Sequence, residues 1–410
     1  MFVVGLLAFG SDRVIKDQLI SNGYAWSVPL GALLLLGAVV LGQRQTRWRL
    51  LGFAGWGFAA GVALWTDWLI APYLAAAAAL LVLGVGRELW GRSGLALLAG
   101  LLVGDAAQIA YDVAAGWPSS SVNVYLHKTL GGAAGPETGP LADRLEGGLL
   151  IGVPMRLGLC EPNACGGPSR VFGVAVLVLL VVSGVLALLG VRRARRLDLV
   201  QAGRLALVLP ALLSIALYTH SAAAGIAPTE SVRYLVCVVI STPAFFWPLW
   251  TVARRLTERR IAAVVAIAVL AAFTVQAVVS TARVAGTVAW HRQAGVDQRA
   301  LIGALEQLGV RYFYTQYWTC ARLVFATRER LVCANVSDDL GRDQDKLPGH
   351  RAAVDAAAAP AYVFESGSAV DRAFADYLRG QPDGARILAA AHEVAGYRIY
   401  LPDRRLAVPH

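Results

Sequence analysis

Ionisable side chains at the ends of apolar segments are the residues of this sequence that could do chemistry. Asp67 lies within LWTDWLIAPY (64–73), where two apolar segments meet in a short turn. Arg233 and Tyr234 begin another apolar segment, RYLVCVVISTPAFF. Because an ionised group is costly at membrane depth, such residues are functional candidates by default. Asp67 could serve as a ligand or a base, and the planar guanidinium of Arg233 could hold a phosphate.

Each of these candidates also has a purely structural explanation. Asp67 could be a solvated turn residue that caps the following helix, and Arg233 could be an anchor at the membrane interface. Lys16 and Tyr24 belong to a further polar cluster before an apolar segment. That cluster could equally be an interfacial belt, since aromatic side chains collect at the level of the lipid headgroups.

The five cysteines form two pairs and a singleton. Cys160 and Cys165 lie in a polar segment with C-x4-C spacing, Cys320 and Cys333 lie in the C-terminal region, and Cys237 lies inside an apolar run. Pairs in polar segments are typical of an oxidising exterior. Zinc is the alternative for a C-x4-C pair, but no second ligand pair lies nearby. Disulfides or free thiols are therefore favoured over a metal site.

The apolar segments themselves indicate a membrane protein. Of 410 residues, 57% are hydrophobic and 16% are charged, whereas about 25% of a soluble domain is charged. Runs close to the roughly 20 residues that cross a bilayer recur up to residue 283 and predict about eight spanning helices. They are 24–42, 50–66, 69–86, 93–110, 171–190, 202–219, 234–253 and 261–282. Residues 2–10 resemble the end of a further helix.

The connections between these helices predict their orientation. Four alternate loops carry 14 basic and three acidic residues, and cytoplasmic loops are the ones that collect Arg and Lys. The opposite side, with both cysteine pairs, is then extracytoplasmic, and the protein is a multi-pass protein of the plasma membrane. The same bias accounts for the net charge of +10, so the partners expected are membrane lipids and no nucleic acid. The four basic loops are 43–49, 87–92, 191–204 and 254–260.

The loop 111–170 is too long for a simple connector, and long loops on a rigid scaffold commonly carry function. Segments 119–130 and 141–151 predict short helices on the membrane surface. His127 and Lys128 in this loop are weaker candidates than the apolar-segment residues, because single polar side chains in a long loop are usually solvated.

The pattern of residues 284–410 predicts a small extracytoplasmic α/β domain. The predicted fold class of the whole chain is mainly α, with a transmembrane helix bundle (1–283) followed by this domain. Alternation of apolar and polar residues predicts strands, and helical spacing predicts helices. The stretch 338–351 is a polar loop. The predicted strands are 310–315, 330–336, 360–365 and 397–402, and the predicted helices are 296–308, 317–326 and 369–380.

Several stretches resemble one superfamily, the polytopic glycosyltransferases that use lipid-phosphate-linked sugars. Dolichyl-phosphate-mannose–protein mannosyltransferases and their bacterial relatives typify it. Residues 16–36 and 47–74 are similar to the middle helices of this family. SVRYLVCVVISTPAFF (231–246) resembles its R-Y-L-L-P-x-x-P helix start, and VRYFYTQYWTCARLVFATRERLVCA (310–334) resembles a stretch in the soluble tails of bacterial members.

The resemblance implies a polyprenyl-phosphate sugar as the donor and an extracytoplasmic glycan, lipid or protein as the acceptor. Arg233, Tyr234, Lys16 and Tyr24 would bind the donor. Arg233 and Tyr234 would lie near its phosphate, and the segment 16–24 would lie near the mouth of the outer cavity. A carboxylate would deprotonate the acceptor in an inverting displacement. No cofactor is expected. The superfamily admits a divalent metal, which no residue spacing here indicates.

One departure from the family concerns the catalytic acid. In the family this acid lies in the first outer loop, ahead of the segments matched here, and Asp67 is only a weak substitute for it. The resemblance implies that Met1 is an internal start or that the sequence is a fragment, and that a chain beginning at a genuine Met1 lacks the acceptor base. Two other classes stay open, namely a transporter and a non-enzymatic envelope protein whose exterior domain binds a partner.

Overall fold

The computed structural model describes residues 12–19, 24–43, 47–116, 120, 121, 123, 139–161, 165–194, 198–255, 258–343, 345 and 347–406. The chain divides into two compact units, Met1–Ala285 and Gly286–His410. Segment 2–10, most of 119–130, His127 and Lys128 lie outside the described residues.

The first unit contains helices and turns but no strand in its described residues. Its helices are α1 (Asp12–Leu19), α2 (Tyr24–Gln43), α3 (Arg49–Thr66), α4 (Ala71–Val85), α5 (Arg92–Gly104), α6 (Ala106–Ala115), α7 (Leu141–Leu145), α8 (Val153–Arg156), α9 (Pro168–Arg193), α10 (Leu199–His220), α11 (Ala222–Ile226), α12 (Pro228–Ser231), α13 (Thr242–Ala253) and α14 (Arg260–Gly286). Short 3-10 turns stand at Trp68–Ile70 and Glu88–Trp90, a longer 3-10 helix at Val232–Ser241, and a π-helix at Glu146–Gly152.

Among the described residues, six helices are long and apolar enough to cross a membrane, and a bent pair could form a seventh. The pair is α5 and α6, which meet at 60° where a single helix over 93–110 was expected. Helix α3 is not one of the six, because Arg49, four glycines and two tryptophans lower its mean hydropathy. The six are Tyr24–Gln43, Trp68–Val85, Pro168–Arg193, Leu199–His220, Pro228–Ala253 and the helix that begins at Arg260.

Helices α3 and α5 pack through two glycine pairs with four-residue spacing. A Cβ atom on Gly57 would lie 2.0 Å from the carbonyl oxygen of Leu97, and one on Gly61 would lie 2.3 Å from that of Leu101. On the opposite helix, a Cβ on Gly100 or Gly104 would meet the backbone of α3 as closely. Small residues at this spacing let apolar helices approach each other closely. These two helices are therefore in direct backbone contact.

The second unit contains a five-stranded sheet in the order β2-β1-β3-β5-β4. Strands β1, β2 and β3 are parallel, whereas β5 runs antiparallel to β3 and pairs with β4. The strands are β1 (Tyr312–Thr315), β2 (Val332–Asn335), β3 (Ala361–Glu365), β4 (His392–Val394) and β5 (Tyr397–Tyr400). The helices are α15 (Val288–Gln307), α16 (Tyr317–Thr327), α17 (Pro348–Ala356), α18 (Ala369–Arg379) and α19 (Gly384–Ala389).

All seven elements expected in this unit are present, and three further elements were not expected. Helix α17 lies partly within the stretch 338–351 that was expected to be a loop, and α19 and β4 were not foreseen. Strand β4 has three residues and pairs with β5. The two strands are joined by a two-residue turn, Ala395–Gly396, in which both residues have positive φ. Such turns match the twist of the two strands they join.

Candidate functional site

Asp67 lies in the turn between α3 and α4. Its Oδ1 accepts a hydrogen bond from the backbone N–H of Leu69 at 2.9 Å and so caps the 3-10 turn that follows. Its Oδ2 is buried and has no hydrogen-bond partner among the described residues. Burial raises the pKa of Asp67 to about 6, opposed by the hydrogen bond from Leu69. The carboxylate thus acts as a cap and keeps one oxygen free to accept a proton.

Tyr24 stands at the N-terminal end of α2 and is partly buried. The charges of Arg233, Asp67 and Asp17 all act on its hydroxyl group, as does neighbouring Tyr234. The fold therefore brings together residues that are separated by as many as 210 positions in the chain. We refer to Tyr24, Asp67, Arg233 and Tyr234 as the Asp67 cluster.

Arg233 is half-buried near the start of the 3-10 helix Val232–Ser241. Its Nε is buried without a hydrogen-bond partner in the described part of the chain. Its guanidinium carbon lies 5.5 Å from the centroid of the Tyr234 ring, within the range of a cation–π contact. The charge of Glu230 acts on it. The guanidinium is thus supported by an aromatic ring and retains a donor for a ligand.

The 3-10 helix that carries Arg233 is unusual in length. It has ten residues, whereas such helices rarely exceed about four residues, and a longer run often marks a functional hinge or local strain. Its far end is fixed by hydrogen bonds, since Tyr73 bonds Ser241 at 2.7 Å and Ser241 donates to the carbonyl oxygen of Leu207. The span Pro228–Ala253 is also the most enclosed of the six, with 67% of its apolar window buried against 22–33% in the others.

Arg156 is the largest fully buried side chain of the described residues, at 1% exposure, and it forms an ion pair with Asp17 of α1, which is 3% exposed. The charges of Arg156 and Asp67 both act on Cys237, so this pair adjoins the Asp67 cluster. Sequence reasoning passed over Arg156 because it lies in a polar loop. Lys16, which was also expected to bind the donor, has an exposed side chain on α1.

The segment before Arg156 explains how a loop residue becomes buried. The π-helix Glu146–Gly152 presents glycines to neighbouring helices, and a Cβ atom on Gly147 would lie 1.8 Å from the carbonyl oxygen of Ala224. A Cβ atom on Gly148 would lie 2.3 Å from the hydroxyl oxygen of Thr219. The segment 141–151 was expected to lie on the membrane surface, whereas its second half is buried in the bundle. Close packing at the glycines allows this burial.

Both expected cysteine pairs form disulfides. The Cα atoms are 5.1 Å apart in Cys160–Cys165 and 5.7 Å apart in Cys320–Cys333, within the usual range of about 4.4–6.8 Å. Cys237 is a buried free thiol on the 3-10 helix. No group of three His, Cys, Asp or Glu side chains among the described residues could hold a metal ion.

The Asp67 cluster therefore combines a carboxylate that can accept a proton, a guanidinium with a free donor, and two phenol groups. A guanidinium can hold a phosphate through charge-assisted hydrogen bonds, and a carboxylate with a pKa near 6 is suited to act as a base near neutral pH. Comparison of this chain with family models, curated proteins and solved structures finds no match.

Proposed function

We propose that this protein is a membrane glycosyltransferase that moves a sugar from a polyprenyl-phosphate donor to an extracytoplasmic acceptor. The observation that carries the proposal is that two incompletely bonded groups, on Arg233 and Asp67, both act on Tyr24. Arg233 keeps a buried Nε and Asp67 keeps a buried Oδ2, each without a partner in the described residues. A buried polar group left unbonded is costly, and a ligand that bonds both would remove that cost.

Each group has a distinct role in the proposed reaction. Arg233, supported by Tyr234, holds the phosphate of the donor. Asp67 takes the proton of the acceptor hydroxyl as the acceptor oxygen attacks the anomeric carbon. The bond between this carbon and the phosphate oxygen breaks, and polyprenyl phosphate leaves with the electron pair. Anomeric configuration is inverted in this single displacement.

The proposal includes a membrane topology in which about eight helices span the bilayer. These are the six long apolar helices, α3, and the bent pair α5–α6 counted as one. The Asp67 cluster then faces the outside, and so does the unit Gly286–His410. Two disulfides support this orientation, since an oxidising compartment maintains them. At the ends of α3 and α4 that lie away from Asp67, Arg49 and Glu88 form an ion pair, with Nε–Oε1 and Nη2–Oε2 distances of 2.7 and 2.6 Å. In this topology the pair lies on the cytoplasmic side.

Variants of the full chain in lipid nanodiscs separate the two roles. Arg233→Ala should weaken the binding of radiolabelled polyprenyl phosphate at least tenfold. Asp67→Asn should bind the lipid normally but transfer no sugar. Arg283→Ala is the matched control, because Arg283 is an exposed residue of the same unit, in the last turn of α14.

The proposal is wrong if Arg233→Ala binds polyprenyl phosphate as well as the unchanged chain does. It is equally wrong if Asp67→Asn transfers sugar at the original rate, because then no proton passes through this carboxylate. An equal loss of lipid binding in Arg283→Ala would contradict a specific role of Arg233, because the loss would then follow from general charge.

A further inference from the structure

The unit Gly286–His410 contains a cleft of about 400 Å³, none of whose lining residues belongs to the Asp67 cluster. This volume lies within the roughly 300–1,000 Å³ of small-molecule sites. One wall is a single face of α15, because its lining residues recur at helical spacing. The residues of that face are Trp290, Gln293, Ala294, Asp297, Gln298 and Leu301.

The opposite walls come from α16, the end of β3 and the start of β5. They contribute Arg322, Glu365 and Tyr397. Arg322 donates from Nη2 to the Tyr397 hydroxyl at 3.2 Å. Gln298 donates to the carbonyl oxygen of Arg322 at 3.3 Å, which links this wall to α15. The polar groups of the cleft are thus held in place before any ligand arrives.

Several hydrogen-bonding groups in the cleft remain available. Asp297 accepts one bond, from Gln293 at 2.8 Å, through Oδ1, and an ionised carboxylate can accept about four. Glu365 is exposed, and its carboxylate has no hydrogen bond or ion pair within the described part of the chain. Trp290 is 68% exposed. A large, flat apolar ring therefore stands beside two carboxylates, two amides and a guanidinium.

We infer that this cleft binds a neutral saccharide. A pyranose ring has an apolar face that can stack on the indole of Trp290 and a rim of vicinal hydroxyl groups. Carboxylates accept from such hydroxyls, and amide and guanidinium groups donate to their oxygens. Two acids against one Arg disfavour an anionic ligand. On the basis of the proposed function, the bound saccharide is part of the acceptor.

Binding of neutral oligosaccharides to the full chain in nanodiscs, measured by calorimetry across a panel of hexose oligomers, tests this inference. Trp290→Ala and Glu365→Gln should each weaken binding at least tenfold, and both side chains are exposed enough to be replaced without unfolding. Trp318→Ala is the matched control, since Trp318 is 64% exposed, belongs to the same unit and does not line the cleft. It should bind as the unchanged chain does.

A variant of the Asp67 cluster separates this inference from the proposed function. Arg233→Ala should bind the saccharide as the unchanged chain does. Saccharide binding by the unchanged chain without any transfer activity would support the cleft and contradict only the transferase. The inference is overturned if no oligosaccharide of the panel binds, if Trp318→Ala loses as much affinity as Trp290→Ala, or if the cleft variants lose binding of peptides instead.

Discussion

Removing one partner of the Arg156–Asp17 pair should destabilise the helical unit severely, and removing both should not. Arg156 and Asp17 are 1% and 3% exposed, so either residue left alone would be an uncompensated buried charge. Such a loss costs about 3–5 kcal/mol, whereas apolar replacement of a whole buried pair is often neutral. We therefore expect Arg156→Met and Asp17→Leu each to cost about 3–5 kcal/mol, and the double variant to cost about 1 kcal/mol, at the scale of a volume-changing core substitution.

Cys237 provides the assay. It is the free cysteine of the chain, it is buried, and the other four cysteines are in disulfides. A fluorogenic maleimide added to detergent-solubilised protein therefore reports unfolding around the 3-10 helix during a thermal ramp. With a shift of about 2–4 °C per kcal/mol for a unit of this size, each single variant should unfold roughly 6–20 °C below the unchanged chain.

The double-variant cycle decides whether the pair acts as a unit. Coupling should appear as recovery of most of the lost transition temperature in the double variant. The reasoning is refuted if each single variant unfolds within about 2 °C of the unchanged chain, or if the losses of the two single variants simply add in the double variant.

Three further predictions concern other parts of the chain. Gly61→Ala should lower the stability of the helical unit by about 1–3 kcal/mol, because the new Cβ would lie 2.3 Å from the Leu101 carbonyl oxygen. Gly55→Ala should raise the stability of this unit by up to about 1 kcal/mol, because Gly55 has open space around it. The Cys237 assay measures both effects, and equal effects of the two variants would contradict the close packing at Gly61. Transfer should rise with pH through about pH 6 as Asp67 loses its proton, and a rate that is flat from pH 5 to 8 would exclude it as the base. Ala395→Gly should stabilise the second unit by about 1 kcal/mol, because φ is 51° at Ala395 and glycine adopts this left-handed conformation without strain. Slower hydrogen exchange in β4 and β5 would show this stabilisation, and faster exchange would contradict it.

The regular elements were predictable wherever apolar periodicity is strong. The expected strand 310–315 and helix 317–326 appear as β1 and α16. Strand β4 was missed because three residues carry too little pattern, and its pairing depends on the turn at Ala395–Gly396. The bend between α5 and α6 was missed because hydropathy alone does not report direction.

The candidate site was predictable in its residue types and not in its assembly. Asp67 and Arg233 were found because charge is rare at the ends of apolar segments, and the fold brings both to Tyr24. Arg156 was missed because its burial depends on the glycine contacts of the preceding π-helix, which are tertiary. The G-x-x-x-G spacing of Gly57 and Gly61, repeated in α5, was a readable signal of close helix packing.

Sugar transfer by the purified chain tests the central claim most directly. The chain in nanodiscs would be supplied with polyprenyl-phosphate donors bearing different radiolabelled sugars and with a neutral oligosaccharide acceptor. We expect label to enter the acceptor with release of polyprenyl phosphate in equal amount, and neither event with Arg233→Ala. Absence of transfer from every donor, by protein in which Cys237 is still protected from maleimide, would contradict the account.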